Sequence, residues 1–120
     1  MQKLVTEMLE NIPNCLAVCV AEIESGMALG SGTKDKSLEP ELAAAYNAEV
    51  VKQKLKAKRA LGLESQNIED ILITLTNQYH VLAVVPNNIY FVYVATTKDS
   101  NLAIIRNTIR KYMPEIEKNV

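Results

Sequence analysis

His80, Cys15 and Cys19 are the chain's only imidazole and thiols, and they bound the chemistry open to it. A histidine acting as general base needs a nucleophile or a carboxylate within hydrogen-bond reach. Glu69 and Asp70 lie in the strand before it, but a tight turn at Asn77-Gln78 registers them near Val84 and Val85, several pairs away. His80 therefore reads as a surface or edge histidine. Cys15 and Cys19 fall in an apolar run, Cys15 to Ala21, that reads as a strand covered on both faces. Four positions apart, they share a side and stand roughly 13 Å from each other at 3.3 Å per residue. That is too far for a disulfide or a shared zinc ion, so both read as small buried hydrophobes.

Gly30-Ser31-Gly32-Thr33-Lys34 lies between a strand and a helix, where phosphate loops occur. A Walker loop needs a glycine directly before its lysine, and a dinucleotide fingerprint needs a third glycine. Neither is present, and the stretch reads as a flexible connector. Glu22 and Glu24 sit at a strand end, Glu39 and Glu41 at a helix start, where carboxylates are solvated or capping. The inventory points to no catalytic residue, no cofactor and no metal site, and the chain reads as non-enzymatic.

The elements that carry these residues fit one domain spanning 1–120, with 48% apolar residues to fill a core. A net charge of −1 excludes a globally basic nucleic-acid binder. That total hides a division. Residues 1–49 hold three basic and eight acidic groups, whereas residues 50–61 hold Lys52, Lys54, Lys56, Lys58 and Arg59 with no acid. The first residues mix charge into every turn, unlike a signal peptide, and the longest apolar run is far short of a membrane span. With no Asn-x-Ser/Thr sequon, the expectation is a cytoplasmic protein without membrane insertion.

Helical spacing runs from Gln2 to Ile12, where Pro13 ends it. The strand from Cys15 is followed by a turn at Glu24-Ser25-Gly26 and a weaker strand at Met27 to Gly30. A long helix is predicted from Pro40 to Leu61, with Pro40 in its first turn and Gly62 as its stop. Ile71 to Thr76, Tyr79 to Val85 and Ile89 to Ala95 read as an antiparallel meander. A last helix begins after Asp99 or Ser100 and is predicted to end at Met113, before Pro114.

The long helix has two apolar stripes. Leu42, Ala43, Tyr46, Val50, Ala57, Ala60 and Leu61 gather within about 100° and are expected to face the core. Ala44, Ala48, Val51 and Leu55 lie nearly opposite. A single sheet needs one stripe, so the second is expected to meet another helix, most simply in a two-fold homodimer. Ile71, Ile73 and Leu75 lie in a short apolar strand that, at a sheet edge, would pair with the same strand of a second copy. Lys52, Lys58 and Arg59 border the helix stripe and read as a solvated basic side near the helix's carboxyl end, where the dipole favours cations. They lack the interleaved aromatics of a single-strand nucleic-acid platform.

In this order the elements resemble the roadblock/dynein light-chain domain family, in its bacterial small-GTPase-regulator branch. The resemblance rests on Glu24-Ser25-Gly26-Met27-Ala28-Leu29-Gly30, Glu39-Pro40-Glu41-Leu42-Ala43-Ala44-Ala45 and Ile71-Leu72-Ile73-Thr74-Leu75. It continues in Tyr79-His80-Val81-Leu82-Ala83-Val84-Val85 and in Ser100-Asn101-Leu102-Ala103-Ile104-Ile105-Arg106, and spans about residues 3–113. It implies an α+β, profilin-like fold: a five-stranded antiparallel sheet, the long helix on one face and the terminal helices on the other. It implies a homodimer joined through the middle strand and the long helix, acting as a non-enzymatic adaptor for a small Ras-like GTPase. Other members are light-chain scaffolds with no GTPase partner, which is the alternative. In the bacterial type the GTPase sits over the paired long helices, which maps onto Lys52, Lys58 and Arg59 as a surface.

Overall fold

A computed structural model describes residues 1–120. Helix α1 (Gln2–Asn11) leads into strands β1 (Cys15–Glu22) and β2 (Ala28–Thr33). Helix α2 (Pro40–Ala60) crosses to β3 (Asp70–Thr74), β4 (Gln78–Val84) and β5 (Tyr90–Thr97), and α3 (Leu102–Lys118) closes the chain. The strands form one antiparallel sheet in the order β2-β1-β5-β4-β3, so β2 and β3 are its edges.

Alternation along the strands splits the core into two layers. Val18, Val20, Val81, Val92 and Val94 face α1 and α3, meeting Val5, Met8, Ile105 and Ile109. Ala17, Cys19, Leu82, Phe91 and Tyr93 face α2 on the other side. Each fully buried Val, Ile or Phe contributes about 1.5–3 kcal/mol by leaving water. This is the expected α+β arrangement, with the long helix on one face and the terminal helices on the other.

Local rules set the element ends. Asn101 caps α3 by accepting from Ala103 N at 2.8 Å. Beyond α2, Gly62 takes φ +72°; its N–H reaches Arg59 O and that of Leu63 reaches Lys58 O, the paired bonds of a Schellman stop. Gly26 (φ +73°) in the β1–β2 turn lies so close to α2 that a Cβ there would stand 3.3 Å from Ala45 Cα.

Three expectations are corrected. Ser31, Gly32 and Thr33 are not connector but the end of β2. A Cβ on Gly30 would stand 3.1 Å from Met1 and 3.2 Å from Val5, so the glycines let α1 lie close on this strand. Cys15 and Cys19 do not share a side. A register shift between Cys15 and Ala17 turns Cys15 to the α1 layer, while Cys19 faces α2. Helix α3 does not stop before Pro114, which lies inside it. Ile116 is fully buried one turn beyond Tyr112, and its burial carries the helix past the proline.

Candidate functional site

The two faces of α2 are real, but their roles are exchanged relative to the sequence expectation. Ala44, Ala48 and Val51 are 0%, 1% and 0% exposed and lie against the chain's own sheet, with Leu55 half-buried beside them. Ala44, Ala48 and Val51 therefore cannot form the expected contact with a second helix, and Leu55 packs against the same core. The outer stripe is mostly the one expected inside, with Tyr46 73%, Leu42 53% and Val50 40% exposed and Leu61 exposed beyond them. Ala43, half-buried against the sheet core, keeps its expected place. The inner row is the smaller on average: Ala44 and Ala48 let the helix lie close over a sheet face that already carries Phe91, Tyr93 and Leu82, and Val51 and Leu55 complete the contact.

The lateral placement of α2 decides what else stays open. Its flank at Glu41, Ala45 and Lys52 touches β2 and the β1–β2 turn: Ser31 Oγ donates to Glu41 at 2.9 Å, Gly26 abuts Ala45, and Lys52 Nζ donates to Glu24 O at 3.0 Å. The opposite flank, with Ala43, Asn47 and Val50, therefore turns toward β4 and β3. Ile71, Ile73 and His80 stay half-buried on this face, and Leu75 is exposed just past β3.

The edge of β3 is open in a defined way. Val84 N donates to Glu69 O at 3.1 Å and Leu75 N to Gln78 O at 2.9 Å. Antiparallel pairs alternate, so Ile71 and Ile73 turn their amides to β4, while those of Asp70, Leu72 and Thr74 open outward. The other edge is partly covered. At Ser31 the Gln2 carboxamide accepts from the backbone N–H at 3.1 Å and donates to the carbonyl at 2.7 Å, as a paired strand would.

The three cations singled out from the sequence line one groove of about 560 Å³ between the second half of α2 and the turns bearing Glu24 and Ile89. Lys52 is committed within the chain, bonding Glu49 at 2.7 Å as well as Glu24 O, and the Glu49 carboxylate is the main cause that raises its pKa. Lys58 donates to Gln66 O at 2.7 Å. Arg59 and the neighbouring Lys56 are exposed, with no ion pair or side-chain hydrogen bond. Glu22, Glu24, Glu49 and Glu64 share the groove, so its charge is mixed rather than basic. Sequence spacing marked Lys52, Lys58 and Arg59 alike and missed Lys56; only the loops folding back onto the helix separate the committed lysines from the free cations.

The chemistry-bearing residues lie apart from this groove. His80 sits edge-on to Tyr93, ring centroids 5.3 Å apart, with Nε2 2.8 Å from Gln78 Oε1. Burial lowers its pKa. Burial pushes the thiols of Cys15 and Cys19 up to about 12, and the Tyr93 hydroxyl likewise to about 12. Glu69 and Asp70 pair toward α3 instead of His80, with Arg110 and Arg106 respectively. No three His, Cys, Asp or Glu side chains gather in a way that could hold a metal ion. No helix is long and apolar enough to cross a membrane.

No protein-family model and no curated protein matches this sequence. Solved structures do match its fold. A roadblock/LC7 domain from Streptomyces avermitilis superposes with a TM-score of 0.75 at 9% identity, over 99% of this chain and 96% of that one. MglB from Myxococcus xanthus gives 0.78 at 14% identity, over 98% and 81%. An MglB structure described in a tetrameric arrangement gives 0.79 at 8% identity, over 97% and 84%. The chain has the fold of roadblock/LC7 domains, as the order of its motifs implies.

Proposed function

We propose that this chain is a non-enzymatic homodimeric adaptor that binds and regulates a small Ras-like GTPase. The observation that carries the reading is two uncovered surfaces meeting on one side of the molecule: the apolar outer stripe of α2 and the open edge of β3. A two-fold axis beside β3 would pair that strand with its copy and lay α2 against α2, covering Leu42, Tyr46 and Val50 and removing an exposed edge. Ile71, Ile73 and Leu75 belong to this interface, whereas Ala44, Ala48, Val51 and Leu55 serve the core. The structural likeness to an MglB in a tetrameric arrangement supports self-association.

The GTPase part of the reading rests on the roadblock fold and on the resemblance, which sets a Ras-like GTPase over the paired long helices. Arg59 and Lys56 are the cations free to meet it. Lys52 and Lys58 hold the neighbouring loops in place. The adaptor would act by binding one arrangement of the GTPase's switch loops more tightly than the other, without supplying a catalytic side chain.

Sedimentation of the wild type and of Tyr46→Glu tests the assembly. The wild type is expected to be a dimer at micromolar concentration, and Tyr46→Glu a folded monomer. A wild-type monomer would overturn the reading. Capture of a GTPase in one nucleotide state only would support the regulator, and a dimer that captures no GTPase in either state would leave the light-chain-like scaffold in its place.

A further inference from the structure

Asp70 opens β3, and its backbone amide and carbonyl point out of the sheet at the free edge. Its side chain points to the α3 side, where Arg106 Nε donates to Oδ2 at 2.9 Å and Nη2 to Oδ1 at 3.0 Å. Of the four ion pairs in the chain this one is bidentate, and its carboxylate side chain is only 15% exposed against 64–79% for the others. A planar guanidinium gripping both carboxylate oxygens fixes distance and direction together.

Further along the strand, Leu72 packs half-buried on the α1–α3 core, and the exposed Arg110–Glu69 pair lies just before β3, but the start of the strand has no apolar contact of this kind. A cleft of about 300 Å³ separates the β3–β4 hairpin from α3, floored by Val81, Ala83 and Ile109 and flanked by Met113. At Asp70 the apolar stripe of α3 therefore does not close onto the strand, and β3 has a neighbouring strand on one side only. The Arg106–Asp70 pair bridges the cleft.

We propose that Arg106 is a positioning residue for self-association: through Asp70 it holds the edge strand at the angle that a second copy must match. Strand addition requires the outward amides of Leu72 and Thr74 to align with their acceptors together, so a tilt of β3 weakens both bonds at once. This rests on the dimer proposed above and adds to it a residue remote from the interface that sets its strength.

The test compares the wild type with Arg106→Ala, Arg106→Lys, Asp70→Asn and Arg110→Ala. Sedimentation equilibrium reads association, and amide exchange reads Ile71 and Ile73, whose N–H groups face β4. Arg106→Ala and Asp70→Asn are expected to weaken association by about tenfold. Arg106→Lys, which can hold one oxygen at a time, should lose less. Arg110→Ala, which breaks an exposed pair with Glu69, should stay within about twofold. Association unchanged in both Arg106→Ala and Asp70→Asn would overturn the proposal. Should Arg106→Ala fail to fold, Arg106→Lys and Asp70→Asn decide it. A monomeric wild type would overturn the dimer reading and this proposal with it, whereas a dimeric wild type with unchanged association in both variants overturns this proposal alone. In the dimer, faster exchange at Ile71 and Ile73 in Arg106→Ala upholds the clamp, and weakened association with unchanged exchange overturns it.

Discussion

His80 shows how a residue of catalytic type can serve as part of a wall. Its ring lies against Tyr93, a fully buried side chain whose hydroxyl has no hydrogen-bond partner, and Gln78 is the one polar group bonded to it. Burial disfavours the imidazolium, so the folded pKa lies below the 6.5 of an open histidine. The unfolded chain therefore binds the proton more readily as pH falls through 6.5, and the stability due to a neutral His80 is full above that value and lost below it. Urea unfolding at pH 7.5 and at pH 5.5 should show a larger loss for the wild type than for His80→Gln. Equal losses would show that His80 stays as solvated in the fold as in the open chain.

At the scale of elements, Pro114 gives the sharpest expectation. It lies within α3, where it offers no N–H to the Arg110 carbonyl, yet the helix runs on to Lys118 because Ile116 is buried. Pro114→Ala should restore the bond and raise the stability by about 1–3 kcal/mol, read as a higher urea midpoint with an unchanged slope. The same competition explains what the sequence does and does not disclose. The β3–β5 meander is legible because Ile, Val and Tyr alternate between tight turns. The extension of α3 is not, since a local stop at Pro114 is outweighed by a tertiary contact of Ile116. Nor is the end of β2, whose Ser, Gly and Thr have little strand preference and become a strand because α1 packs on the glycines. The bulge beside Cys15 leaves no mark in the pattern, and it alone sends the two thiols to opposite layers. For α2, periodicity revealed both stripes but not their roles. Larger side chains suggested the core, whereas the row that faces Phe91 and Tyr93 is the one opened by Ala44 and Ala48.

At the scale of the molecule, the two proposed interfaces occupy different flanks of the same helix, so they can be broken one at a time. Tyr46, Leu42 and Val50 form the outer stripe, whereas Lys56 and Arg59 line the groove toward Glu24 and Ile89. A double variant, Lys56→Glu with Arg59→Glu, changes exposed groups that have no ion pair within the chain. It should leave dimerisation intact and cost about 1–2 kcal/mol of stability, since Arg59 lies in the last turn of α2. Reversing two cations in a groove that already holds Glu22, Glu24, Glu49 and Glu64 makes it strongly acidic, so a partner surface that Lys56 and Arg59 attract would then be repelled. Capture of the GTPase should fall about tenfold or more in that variant, mainly through slower association, and the wild-type rate should itself decline as salt is raised. Tyr46→Glu is expected to behave differently, losing the dimer first and the GTPase only as far as binding spans both copies. Full capture by the double-charge variant would move the GTPase off this groove while leaving the dimer in place. Loss of both properties together would mean that Lys56 and Arg59 belong to the assembly interface itself.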